Sequence, residues 1–239
     1  MDRNHHAWDV VVVAPLVLVG VAACGPRPGA SLGSPSPSSS RVAARLVAVE
    51  RRANPEEVAA ARAEETPDPA LLVDCDAPRS IVVRKGERVL ELRCGATLAA
   101  RYPVSLGFAP EGHKAREGDG RTPEGTYFIS LKFPSGFRRS LQLAYPNEAD
   151  ADAGLADGRI TTKQHAAIVR ANRACATPPQ NTPLGSYLQV HGGGGGPEAG
   201  DWTLGCVALE DAAIERVYDF HQLGCDATGA PQTPVHILP

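Results

Sequence analysis

Val190-His191-Gly192-Gly193-Gly194-Gly195-Gly196 and, four residues on, Asp201-Trp202-Thr203-Leu204-Gly205-Cys206-Val207-Ala208-Leu209 decide how this chain is read. The first run ends a short β-type segment, Ser186 to Val190, on a histidine and then strips side chains from the approach to it. Consecutive glycines suggest a phosphate cradle, but no Lys-Ser/Thr follows and no helix opens directly after them, so a P-loop is excluded. In the second run, Gly205 lets the backbone turn tightly, so that the amides of Gly205 and Cys206 can face an oxyanion developing beside the sulfur. A thiol attacks a carbonyl as its thiolate, and an imidazole can take the proton. His191 and Cys206 suit two neighbouring strand ends joined by a loop. A Cys/His pair alone is a thin signal, so the rest of the chain has to carry it.

Outward from this point the chain reads as short strands. Ile81-Val82-Val83 and Val89-Leu90-Glu91-Leu92 flank Arg84-Lys85-Gly86-Glu87, a hairpin turn whose glycine accepts a positive φ. Centring that hairpin so that paired numbers sum to about 171 brings Cys75 opposite residue 96, next to Cys94, within reach of a bridge. The alternative is two free buried thiols. Further strands are expected at Arg101 to Leu106, Gly125 to Leu131, Leu141 to Ala144 and Ser186 to Val190. Thr161 and Gln164 have the spacing of a capping box and predict a helix that ends before Pro178-Pro179. A second helix runs from about Glu210 to Leu223, with Ile214, Val217, Tyr218 and His221 as its inner stripe and Gly224 to stop it. No repeat of solenoid period occurs.

The composition agrees with a loop-rich β architecture: of 239 residues, 24 are Gly and 21 Pro, which punctuate regular elements. Twenty-four basic residues against 27 acidic leave a net charge of −3, without the basic excess that nucleic-acid binding needs. Val10 to Ala23 is nearly unbroken apolar chain, about 21 Å as a helix and too short for a stable membrane span. It reads as the core of an export signal over residues 1–23. Its end, Val21-Ala22-Ala23-Cys24-Gly25, resembles the lipobox of bacterial lipoproteins, which implies lipidation of Cys24; the alternative is an ordinary secretory signal with an incidental cysteine. Residues 24–40 form a Pro/Gly/Ser tether too poor in apolar side chains to fold. Residues 41–70 have helix-forming composition, with Asn54-Pro55-Glu56-Glu57 as a helix start, and read as a stalk. The folded domain, 71–239, begins near Leu71.

From Ile81 to Asp219 the chain resembles the L,D-transpeptidase (YkuD-type) catalytic domain, and within it the YafK-like branch. The likeness rests on Tyr102-Pro103-Val104-Ser105-Leu106-Gly107, on Gly118-Asp119-Gly120-Arg121-Thr122-Pro123-Glu124-Gly125-Thr126-Tyr127, on Leu143-Ala144-Tyr145-Pro146-Asn147 with Asp150, and on Pro178-Pro179-Gln180-Asn181-Thr182-Pro183-Leu184-Gly185 leading into the His-Gly strand. Asp201 to Ala208 then carries the D-W-T-x-G-C-[IV]-A signature. Where the wider family has a second histidine and an Arg or Asn two residues after the cysteine, this chain has Leu204 and Ala208. The base must therefore be His191, and the donor-binding groups of the wider family do not carry over at those two positions.

The resemblance implies a mainly β fold, a YkuD-like β-sandwich or mixed sheets with a few helices. It also implies two-step acyl transfer on peptidoglycan stem peptides. Cys206 attacks the carbonyl of the third, diaminoacyl residue and the terminal D-amino acid leaves, with His191 as base and then acid. The products are cross-links or a wall-attached protein. Hydrolysis of the same amides is the alternative, and a non-catalytic wall-binding lipoprotein the second. The Gly205 amide is expected in the oxyanion hole. Arg121, Trp202 and Gly192 are expected at the substrate. Arg121 either pairs with a stem carboxylate or supports the Asp119 turn, and Trp202 either walls the site or packs in the core. Asp201 or a backbone carbonyl orients His191, unless Asp201 is only a turn residue. His191 itself is taken as a glycine-flanked surface residue that contributes little packing. His113, His165, His221 and His236 sit in ordinary contexts. No metal or other cofactor is expected, since no Cys pair has CxxC spacing. With Cys24 lipidated and Cys206 reserved for chemistry, Cys75–Cys94 leaves Cys175–Cys225 as the second bridge by elimination. The protein is then an exported bacterial lipoprotein, membrane-anchored and facing the cell wall.

Overall fold

A computed structural model describes residues 65–195 and 198–239. The signal segment, Cys24, the tether, the stalk up to residue 64 and Gly196 lie outside the described residues. The chain is already joined to the sheet at Glu65, ahead of Leu71: its carboxylate meets Arg93 Nη2 at 2.7 Å and accepts the Leu98 N–H at 3.1 Å.

Among the described residues, nine strands form two mixed sheets. The first has the order β3-β2-β1-β9-β4, from β1 (Arg79–Arg84), β2 (Val89–Cys94), β3 (Thr97–Pro103), β4 (Gly125–Tyr127) and β9 (Val235–Leu238). The second has the order β5-β6-β7-β8, from β5 (Ile129–Ser135), β6 (Arg138–Leu143), β7 (Gln189–His191) and β8 (Val207–Ala208). Neighbours are antiparallel except β1·β9 and β7·β8. Among the described residues, three α-helices, α1 (Glu148–Ala156), α2 (Thr162–Arg173) and α3 (Asp211–Phe220), and a short 3-10 turn at Pro69–Leu72 complete the fold. One core joins the layers, with Ile81, Leu90, Leu141, Val190, Val207 and Ile214 among its members.

Two expected strands prove to be junctions between the sheets. The stretch Gly125 to Leu131 breaks at Phe128, so that β4 belongs to the first sheet and β5 to the second. The stretch Arg101 to Leu106 leaves β3 at Pro103, and Ser105 then forms an antiparallel bridge with Ala208 of β8. That crossing ties the first sheet to the residue pair following Cys206.

The β1–β2 register differs from the expected one. Arg79 faces Cys94 and Arg84 faces Val89, so the paired numbers sum to 173 rather than 171. Cys75 precedes the strand, yet it is bonded to Cys94 with Cα atoms 5.7 Å apart. Cys175 is bonded to Cys225 with Cα atoms 6.0 Å apart.

Among the helices, the Thr161–Gln164 capping box forms in both directions at the start of α2. α3 buries Ala213, Ile214, Val217 and Phe220. It ends at Phe220 rather than Leu223, because His221 turns extended (ψ 135°) and its carbonyl accepts from Lys132 Nζ at 3.0 Å.

Candidate active site

Cys206 is presented by a turn that Thr203 organises. The Thr203 N–H donates to Leu106 O at 3.0 Å and its carbonyl accepts the Phe108 N–H at 2.9 Å, which fixes the strand-like approach. Its buried hydroxyl then accepts the Gly205 N–H at 3.1 Å and donates to the Cys206 carbonyl at 2.7 Å. Gly205 lies at φ 127°, and a Cβ there would stand 2.6 Å from the Arg121 carbonyl oxygen, so no other residue fits this step. After the turn, β8 runs parallel to β7 in the register Val190↔Val207 and His191↔Ala208. Cys206 therefore falls beside Gln189, whose N–H donates to Sγ at 3.4 Å; the thiol points at Tyr187 O, 3.9 Å away.

His191 closes β7, two residues further along the same edge. Its Nδ1 lies 2.6 Å from Gly192 O. A carbonyl only accepts, so Nδ1 carries the hydrogen and Nε2 is the basic nitrogen of the neutral ring. The orienting group is thus a backbone carbonyl and not Asp201. That carboxylate is engaged elsewhere, with Arg88 Nη2 at 2.8 Å and the Leu106 N–H at 2.9 Å. The expectation of a surface histidine does not hold. His191 is only 3% exposed, stacked at 4.4 Å on the Phe137 ring and met by the edge of Trp202 at 5.9 Å. Among the described residues no hydrogen bond joins His191 to Cys206.

The glycines after His191 are held in place. The Gly192 N–H donates to Arg139 O, Gly193 N–H to Asp211 Oδ1 and Gly194 N–H to Leu209 O. A Cβ on Gly192 would come within 2.5 Å of Phe137 O, and one on Gly195 within 2.1 Å of Ala208 O. These residues let β7, β8 and α3 approach closely; Gly192 acts through its carbonyl and its small size.

The thiol opens into a cavity of about 430 Å³ lined by Lys114, Glu117, Gly118, Gly185, Ser186, Tyr187, Leu188, Leu204 and Cys206. Lys114 is 2% exposed and donates to Asp119 Oδ1 at 2.7 Å and to Arg116 O at 3.1 Å. Burial alone would raise the Asp119 carboxyl; the Lys114 ammonium and the amides of Arg116, Ala115 and Arg121 overcome it and hold the group at about 2. Burial pushes the Cys206 thiol above its ordinary value, against the opposing Gln189 N–H and the Lys114 charge. Burial likewise pushes the His191 imidazole below its ordinary value, against the Gly192 carbonyl. The resting pair is therefore a neutral thiol and a neutral imidazole.

Three further expectations are placed differently. The Gly205 N–H already has Thr203 Oγ1 as acceptor, so the amide free to meet an oxyanion is that of Cys206, which has no acceptor among the described residues. Arg121 does not line the cavity; its guanidinium reaches His113 O at 3.4 Å, and it acts on the site through the carbonyl that enforces Gly205. Trp202 is 42% exposed beside His191 and is a wall, not a core residue. Thr203 stands in the D-W-T-x-G-C signature, but the motif does not say what its hydroxyl does; Lys114, a single lysine, carries no spacing signal at all. Among the described residues, no three His, Cys, Asp or Glu side chains are grouped as metal ligands.

Residues 78–237 match the YkuD L,D-transpeptidase catalytic domain family. Among solved structures, the chain is similar to Bd1075 of Bdellovibrio bacteriovorus, with 20% identity over 68% of this chain and 48% of that one and a TM-score of 0.42. It is similar to the helical cell shape determining protein Pgp2 of Campylobacter jejuni, with 19% identity over 68% and 48% and a TM-score of 0.42. It is also similar to the L,D-transpeptidase of Xylanimonas cellulosilytica, with 16% identity over 77% and 70% and a TM-score of 0.38. The chain spans about half the length of the first two, aligning with 48% of each. No curated protein matches the sequence. With the family pattern extending from residue 78 to residue 237, the chain belongs to the L,D-transpeptidase (YkuD) catalytic-domain family.

Proposed function

We propose that the protein is a cysteine-dependent acyltransferase of the peptidoglycan stem, of the YafK-like branch, with Cys206 as nucleophile and His191 as general base and acid. The observation that carries this reading is the placement of the only free cysteine among the described residues in the lining of a cavity, immediately before a strand paired with the one that ends in His191. Nε2 of His191 takes the thiol proton as Sγ bonds to the carbonyl carbon of the diaminoacyl residue. Catalytic hydrogen bonds absent in a resting site commonly tighten once substrate is seated. The Cys206 N–H stabilises the oxyanion. The C–N bond to the terminal D-amino acid breaks and His191 returns the proton to the leaving amine. An acceptor amine then attacks the thioester, giving a proton to His191 Nε2, and the C–S bond breaks; the thiolate takes that proton back from His191. Trp202 and Phe137 hold the imidazole and keep bulk water from its faces.

Incubating the full chain with purified muropeptides and weighing the products tests this. New cross-linked or amine-bearing species are expected from wild type and none from Cys206→Ser; cleaved stems without transfer would replace the transferase reading by a hydrolytic one. Residues 1–24 support the further proposal that the protein is exported and anchored to a membrane by lipid on Cys24. Cys24→Ala is expected to move it from the membrane to the soluble fraction, and persistence in the membrane would refute the anchor.

A further inference from the structure

The cavity beside Cys206 has two charged residues in its lining, Lys114 and Glu117. They differ in kind. Lys114 is committed inward: its ammonium binds Asp119, with side-chain exposures of 2% and 9%. Glu117 is exposed, and among the described residues it forms no ion pair. Its carboxylate receives only a long hydrogen bond, 3.5 Å, from Ser186 Oγ. The Glu117 N–H donates to Pro183 O at 3.0 Å, which fastens its loop to the segment forming the opposite wall. The backbone of Glu117 is thus fastened, while its carboxylate has no cation paired with it among the described residues. The remaining lining, Gly118, Gly185, Tyr187, Leu188 and Leu204, offers small residues and apolar surface. A ligand that fits has an apolar stem ending in a cation.

We propose that Glu117 is a specificity-determining residue that binds the primary ammonium on the side chain of the donor residue whose carbonyl Cys206 attacks. The inference rests on the acyl-transfer reading above and deepens it: the diaminoacyl residue carries such an ammonium on an aliphatic stem, close to the scissile carbonyl. Because Glu117 is exposed, the pair is solvent-accessible and its contribution is modest.

Affinity of the full chain carrying Cys206→Ala tests the proposal without any chemistry. Two probes are compared: a tetrapeptide stem with a free side-chain amine, and the same peptide N-acetylated there. The free amine is expected to bind roughly twofold to fivefold more tightly. Adding Glu117→Gln should bring the free-amine peptide to the affinity of the acetylated one and leave the latter unchanged, and Glu117→Lys should reverse the preference. Equal binding of the two peptides to the Cys206→Ala chain overturns the proposal, as does an equal loss for both peptides in Glu117→Gln. Because binding is read without the nucleophile, a failure of wild type to acylate would refute the transferase reading while an amine preference still supported the role of Glu117.

Discussion

Thr203→Val tests the architecture of the nucleophile turn. The substitution keeps the shape of the side chain and removes its hydroxyl, which accepts the Gly205 N–H at 3.1 Å and donates to the Cys206 carbonyl at 2.7 Å. Thr203 is 4% exposed, so water does not readily replace it. Two backbone groups then lose their partner at about 1–2 kcal/mol each, or roughly 2–4 kcal/mol together. For a domain of this size that lowers Tm by roughly 4–16 °C. The peptide plane that aims the Cys206 N–H is also released, so acylation should slow by at least about tenfold. Thermal denaturation followed by circular dichroism reads the first effect, and single-turnover acylation followed by intact mass reads the second. Thr203→Ser, which keeps Oγ, should stay close to wild type in both. If the valine variant matches the serine variant in Tm and in acylation rate, the hydroxyl does not organise the turn and the argument fails.

The remaining expectations concern the base, the cavity floor and the bridges. His191→Ala should slow alkylation of Cys206 strongly at neutral pH. Because burial raises the thiol, that rate should recover only as pH climbs past the ordinary cysteine value, while wild type should lose reactivity only below the ordinary histidine value. Equal alkylation rates with and without His191 at neutral pH would sink imidazole activation. Asp119, held at about 2 in the fold against 3.8 when free, stabilises the fold above pH 3.8 and loses that contribution as pH falls toward 2. The loss is about 2 kcal/mol, so acid titration of Asp119→Asn should show a flatter stability slope in that window. Peptide mapping without reduction should recover Cys75–Cys94 and Cys175–Cys225, which enclose chain separations of 19 and 50 residues. Opening them singly should cost about 3 and about 4 kcal/mol by loop entropy; a bridge to Cys206 would overturn the nucleophile assignment.

Local signals were legible in the sequence where a short range of residues determines the outcome. The Thr161–Gln164 box names its own partners, and the spacing of Ile214 and Val217 fixes the inner face of α3. What stayed hidden depends on residues far apart. β9 is four residues, Val-His-Ile-Leu, between two prolines, and its strand character comes from pairing with β1 across most of the domain. α1, Glu-Ala-Asp-Ala-Asp-Ala-Gly-Leu-Ala, has no apolar period to read; it is held by the reciprocal Asn147–Asp150 cap. The β1–β2 register differs by two from the expected one because a turn can be centred on several residues of Arg84-Lys85-Gly86-Glu87-Arg88, and Arg88, not Gly86, takes the positive φ (55°).

The same division runs through the site. Cysteine and histidine advertise themselves because few side chains do their chemistry, whereas the groups that set their state are generic. Gly192 offers a carbonyl, Thr203 a hydroxyl, Phe137 a ring, and each matters only because the sheet brings it to the reacting pair. Their combined effect is electrostatic as well as steric. Burial disfavours the ion pair that an exposed Cys/His couple would adopt, so the thiol waits protonated and the imidazole waits able to accept. On the proposed reading, charge separates as an electrophile is seated, and the Cys206 N–H can meet a developing oxyanion. A thiol kept neutral until that moment is also less exposed to stray electrophiles and oxidants. On the proposed acyl-transfer reading, the burial of His191 against Phe137 and Trp202 would delay formation of the thiolate, with the Nδ1–H donor leaving Nε2 to take its proton.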